Sequence, residues 1–227
     1  PFDELMFLSI TYPLKFSVST TSKANLIIAG NISEYIPSPQ NFSFKYTVAS
    51  HAKYLQEFTE DLNLGKMIVF GHSLGGAIAI ELCNLLKDRV QTLILSEANL
   101  DPSSPDSASF EIANFDEDDL DSTFERKLTE YEKLGNTMWV ATLRNWLPKA
   151  AFEISTNAVS GGKTSWRELL YDFEFPKYFI FGEESLPDAD FEKLKEHGVK
   201  IEVVPNAGHS MAWENPNGFA QVIKRCL

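Results

Sequence analysis

The sequence predicts an α/β fold, a mostly parallel sheet flanked by helices, and three observations carry that reading. From the middle of the chain onward, short apolar runs alternate with helical patterns, as crossover connections between parallel strands require. One of those runs leads straight through Gly71-His72-Ser73-Leu74-Gly75-Gly76 into a helical pattern. With 227 residues, 44% of them hydrophobic, the chain can fill one sizeable core and carry an inserted subdomain.

Taken in order, the first strand is Asn25-Leu26-Ile27-Ile28-Ala29-Gly30. Val48, Ala52, Leu55, Phe58 and Leu62 then make an apolar stripe, which predicts a helix over 47–62. Residues 66–70 form an apolar run that stops at Gly71, as a buried strand would. Ala77, Ile78, Leu82 and Leu85 recur at helical spacing across 74–87. Strands follow at 90–95, 178–181 and 201–204, with a helix over 191–197 that Gly198 ends. The last segment, 218–226, is amphipathic, with Phe219, Val222, Ile223 and Cys226 on one side. Between 102 and 175 the alternation breaks into an acidic, helix-rich stretch carrying Trp139 and Trp146. That stretch reads as a helical cap insertion at 102–175, with the core formed by 1–101 and 176–227.

A net charge of -12 argues against nucleic acid, since phosphate binding needs a basic surface. Acidic residues crowd 111–132, which suits a basic partner or a solvated helix face, the more ordinary use of such a run. No apolar run approaches the roughly 20 residues of a membrane span, and the opening residues lack a secretory pattern. Cys83 and Cys226 show neither CxxC nor metal-ligand spacing, so two reduced thiols in a cytoplasmic protein are expected. The expectation is a small-molecule substrate, with no cofactor, metal, nucleic acid or membrane, and compatibility with a homodimer.

The turn at Ser73 has a chemical rationale. A nucleophile on a sharp strand-to-helix turn needs small residues two before and two after it, and Gly71 and Gly75 supply them. Ser73 then sits at a helix N-terminus, where partial positive charge favours an oxyanion, and the Leu74 N–H is a candidate oxyanion donor. A serine hydroxyl also needs a base. Of the four histidines, His51 falls on a predicted helix, His72 is expected to point away from its neighbour Ser73, and His197 ends a helix. His209 follows a strand in Pro205-Asn206-Ala207-Gly208-His209-Ser210-Met211, a loop that returns to the sheet edge carrying the turn.

Gly-His-Ser-Leu-Gly-Gly at Ser73, Ala207-Gly208-His209-Ser210-Met211 and Glu214-Asn215-Pro216 together resemble the α/β-hydrolase superfamily. The likeness runs from about residue 25 to the end and is loose in the cap. It is nearest to the capped esterase, epoxide-hydrolase and haloalkane-dehalogenase-like branch. Epoxide hydrolases and dehalogenases of that branch use an aspartate nucleophile; Ser73 instead implies acyl transfer to water.

For the third triad member, much of the superfamily places an acid in a Gly-x-x-Asp pattern after the strand at 178–181. Here that stretch reads Gly182-Glu183-Glu184-Ser185. The sequence around Ser96-Glu97-Ala98 resembles a dehalogenase subgroup with its acid at the place of Glu97. A carboxylate ending a fully apolar strand is costly unless paired, which favours Glu97; the ordinary alternative is a turn cap. Asp188 is the alternative acid. Members of the superfamily also have a His-Gly before the serine turn, absent here. If Ile27–Ser33 matches the later Gly-x-Gly-x-Ser loop, the first strands and the oxyanion loop are absent or replaced. If residues 26–30 are themselves the oxyanion strand, Gly30 and Asn31 are donors.

The expected function is therefore a serine hydrolase cleaving a carboxylic ester or related acyl bond through Ser73, His209 and Glu97. The alternative is a catalytically impaired relative that binds or senses a small molecule. Thioester or carbon–carbon cleavage on the same triad is a third reading.

Overall fold

The computed structural model describes residues 25–29 and 44–227, apart from 136 and 145. Gly30, Asn31, Ser33 and the side chain of Trp139 lie outside the described residues.

Among the described residues, five parallel strands, β1 (Asn25–Ala29), β2 (Met67–His72), β3 (Val90–Ser96), β4 (Lys177–Gly182) and β5 (Lys200–Val204), pair in chain order. The central strands β2, β3 and β4 are mostly apolar because both faces of the sheet are covered there. Met67, Val69, Leu93, Leu95, Phe179 and Phe181 pack on one side, and Ile68, Phe70, Ile94 and Ile180 on the other. The first side is covered by α1 (Val48–Asp61) and α2 (Leu74–Leu86), the second by the C-terminal helix (Pro216–Cys226) through Val222, Ile223 and Cys226.

Helix α1 starts where Thr47 Oγ1 accepts the Ser50 N–H at 3.1 Å. Its buried face is Val48, His51, Ala52, Leu55 and Thr59, while Leu62, read from sequence as part of the stripe, is exposed beyond the last turn. In α2 the expected Ala77, Ile78 and Leu82 are buried, but Leu85 is exposed and Leu86 takes the core position. Both cysteines are buried free thiols, and burial pushes Cys226 up to about 12.

Between β3 and β4 lie α3 (Ala108–Ala113), α4 (Leu120–Lys133), α5 (Thr137–Leu143), α6 (Pro148–Ser160) and α7 (Trp166–Asp172). They divide by what they pack against. Ile112, Phe124, Leu128, Val140, Leu143, Trp146 and Ala151 form a core of their own. Ile154 and Ala158 of α6, with Trp166 and Leu170 of α7, join the main core. Helix α6 therefore bridges the two. Lys177 opens the apolar strand β4 because its Nζ donates to the Leu170, Tyr171 and Phe173 carbonyls at the end of α7. The acidic stretch stays largely at the surface; Glu111 and Glu130 pair with Lys127 at 2.8 and 3.0 Å, and Glu132 pairs with Arg144. None of the described helices is long and apolar enough to cross a membrane.

After β4 come α8 (Asp190–Glu196), which Gly198 follows at φ 73°, and then β5. The four-residue helix α9 (Met211–Glu214) precedes the C-terminal helix, α10, whose start is capped by the Asn215 side chain on the Gly218 N–H.

Candidate active site

Ser73 joins β2 to α2 at φ 53° and ψ −130°, a conformation that costs roughly 1–3 kcal/mol for a residue with a Cβ. Its surroundings hold it there. The Ser73 N–H donates to the Ser96 carbonyl at 3.0 Å, and its own carbonyl accepts the Gly76 and Asn99 N–H groups. The flanking glycines are sterically obligatory: a Cβ on Gly71 would lie 2.6 Å from the Gly75 carbonyl oxygen and 2.7 Å from Ala79 Cβ. One on Gly76 would lie 2.2 Å from Ala98 Cβ. Gly76 thus lets α2 close onto the turn that carries Glu97. As the first residue of α2, Leu74 bears a backbone N–H with no acceptor inside the helix.

Glu97 leaves β3 at φ 42°, with its N–H bound to the Ile180 carbonyl at 3.1 Å. Its Oε1 accepts the Gly182 N–H at 2.7 Å, and its Oε2 lies 3.9 Å from His209 Nδ1. Burial pushes this carboxyl upward, but the Gly182 N–H, together with the nearby His209 ring and Ser185 side chain, outweighs it and leaves the group below the usual glutamate range. Ser185, the residue found where a Gly-x-x-Asp acid was looked for, therefore supports Glu97. The other sequence candidate is engaged locally: Asp188 Oδ1 accepts the Asp190 N–H at 2.7 Å.

The histidine loop is held from several directions. Glu184 donates its N–H to the Ala207 carbonyl at 2.9 Å, and Asn215 Nδ2 donates to the Pro205 carbonyl at 2.8 Å. Carboxylates of Glu183 and Glu214 accept the Asn206 and Gly208 N–H groups, each at 2.8 Å. A Cβ on Gly182 would meet the Gly208 and Ala207 carbonyl oxygens at 2.4 and 2.5 Å, so β4 can approach this loop only as glycine. The His209 side chain is 57% exposed, leaving it open to a substrate, whereas that of Glu97 is 13% exposed.

His72 does not stand apart from the site; its ring packs on His209 with centroids 4.9 Å apart. Strand alternation aims side chains at successive positions to opposite faces, but Ser73 has left the strand, so alternation no longer applies.

A family described as "alpha/beta hydrolase fold" matches residues 19–216. The chain belongs to the α/β-hydrolase fold family. A relative from Mycoplasma genitalium named "Putative esterase/lipase 1" is 24% identical over 212 residues, covering 86% of this chain and 77% of its own. Among solved structures, a marine microorganism esterase superposes with a TM-score of 0.66 at 19% identity, covering 92% of this chain and 96% of its own. A thermophilic esterase from Thermogutta terrifontis gives 0.62 at 19% identity, covering 79% and 71%. At such identities the structural likeness speaks for the α/β-hydrolase fold. An open cleft of about 320 Å³ lies among the helices between β3 and β4, lined by residues including Phe124, Leu128 and Trp146 and by Glu125, Glu132 and Arg144.

Proposed function

We propose that this protein hydrolyses a carboxylic ester or related acyl bond of a small molecule, with Ser73 as nucleophile, His209 as base and Glu97 as the acid. The observation that carries the reading is Glu97: a mostly buried carboxylate at the end of an apolar strand, facing His209 Nδ1 at 3.9 Å. A carboxylate there holds the imidazole in one orientation and balances the charge it gains when it takes a proton. The 3.9 Å separation is loose for a hydrogen bond, as free enzymes often show before substrate tightens the site.

In the first step Ser73 Oγ attacks the acyl carbon while its proton passes to His209 Nε2, and the oxyanion develops near the Leu74 N–H at the start of α2. The carbon–oxygen bond to the leaving alcohol breaks, and the alcohol takes that proton. Water, deprotonated by His209, then attacks the acyl-enzyme, releasing the acid and restoring Ser73. The helices of 102–175 set substrate size, and the enzyme works in the cytoplasm with both thiols reduced.

The test is a fluorophosphonate probe followed by peptide mass spectrometry, beside turnover of p-nitrophenyl esters of several chain lengths. Labelling at Ser73 and ester hydrolysis are expected. An unlabelled Ser73 would turn the assignment to an impaired relative that binds its ligand without turnover.

A further inference from the structure

His72 is the residue whose place the ester-hydrolase reading leaves unused. Its ring meets that of His209 at 4.9 Å between centroids and 49° between planes. Its Nδ1 lies 2.9 Å from Ser96 Oγ, and Ser96 is fully buried. The parallel register of β2 and β3 sets His72 opposite Ser96, so the next residues along, Ser73 and Glu97, emerge side by side at the sheet edge. Two consecutive pairs therefore enclose His209: Glu97 stands at its Nδ1, and His72 lies against its ring.

We infer that His72 is a positioning residue, tethered through Ser96, that fixes the ring of His209 against rotation away from Ser73. The inference rests on the reading of His209 as the base. A half-exposed loop histidine with one loose contact to a carboxylate can swing about χ1 and χ2; a second ring packed on it removes that freedom. Burial, and after it the charge of His209, push His72 down to about 4, outweighing the facing Glu97 carboxylate and the Ser96 backbone, which act upward. At neutral pH the ring against His209 is therefore uncharged and does not repel the imidazolium formed in turnover.

The experiment compares His72→Ala, His72→Phe and His72→Gln in the full chain for kcat, KM, fluorophosphonate labelling rate and melting temperature. His72→Ala is expected to lower kcat and labelling rate about 10- to 50-fold, the scale expected from misplacing a catalytic group, with KM changing less than about twofold. His72→Phe keeps a ring and should recover most of the loss; His72→Gln should not. Ser96→Ala serves as a second variant should His72→Ala fail to fold. It loosens the tether while keeping the ring, and an expected threefold to tenfold fall in kcat supports the inference. A labelled wild type whose kcat is untouched by His72→Ala, or a His72→Phe no better than His72→Gln, overturns this inference alone. A wild type not labelled at Ser73 overturns it together with the hydrolase reading.

Discussion

Around Ser73 the backbone is packed to the limit, with Gly71 making room for Gly75 and Ala79, Gly76 making room for Ala98, and backbone bonds to Ser96 and Asn99 fixing the turn. The Glu97–His209 side is assembled from the ends of β3, β4 and β5, which are far apart in the chain, and is held by hydrogen bonds between loops. The difference bears on how each half fails. The serine turn is set by steric exclusion, which small substitutions break outright. Apart from Gly182, where a Cβ would run into the histidine loop, the acid–histidine half is set by several modest polar contacts, each net worth about 1 kcal/mol, so it tolerates losses that spare Gly182 and the carboxylate itself.

The largest expected effect separates chemistry from scaffolding. Ser73→Ala should lower kcat for p-nitrophenyl esters at least about ten-thousandfold and abolish fluorophosphonate labelling. Its melting temperature should hold or rise, since it keeps the strained φ but loses only a hydroxyl.

Glu97→Gln should reduce kcat about ten-thousandfold, as neutralising the acid does in serine triads. Asp188→Asn should leave kcat within about twofold. Equal effects of the two on steady-state kinetics would move the acid to the loop after β4.

Gly76→Ala is expected to destabilise by about 2–3 kcal/mol in urea denaturation, because its Cβ has no space beside Ala98. Gly208→Ala, whose Cβ would meet nothing closer than 3.8 Å, should be much milder. If both cost alike, steric exclusion is not what distinguishes the two halves.

The smallest effect is on pH dependence. Unfolded His72 protonates near 6.5 and folded His72 only near 4, so the unfolded state binds the extra proton and stability falls as pH drops across that window. Glu97 is also shifted downward, below the usual glutamate value near 4.3. Its contribution is present above that value and lost as pH falls through the folded one. Chemical denaturation from pH 7 to 3 should therefore show His72→Phe flattening the upper part of the decline and Glu97→Gln the lower part.

Much of this was legible because it is local. Apolar runs gave the four strands from 66 onward to within two residues, and Gly198 marked the end of α8. The glycine spacing at Ser73 described a turn that the backbone adopts. Leu62 and Leu85 fit the apolar stripes yet are exposed, because periodicity gives the direction of a helix face but not how far its neighbours reach. Ser185, Glu183 and Glu214 carried no signal of their own, since a surface carboxylate or hydroxyl looks the same in sequence whether or not a distant N–H meets it.

The sequence by itself determined the serine turn, the alternation that makes a parallel sheet, and the short set of residues from which a base and an acid could be drawn. Those depend on sterics and spacing within a few residues. Only the tertiary structure decided that Glu97 rather than Asp188 faces His209, that Ser185 supports that carboxylate, and that His72 lies against the histidine ring. The register of β2 on β3 and the approach of Gly182 to the histidine loop create those contacts, and both are long-range pairings that no local pattern encodes.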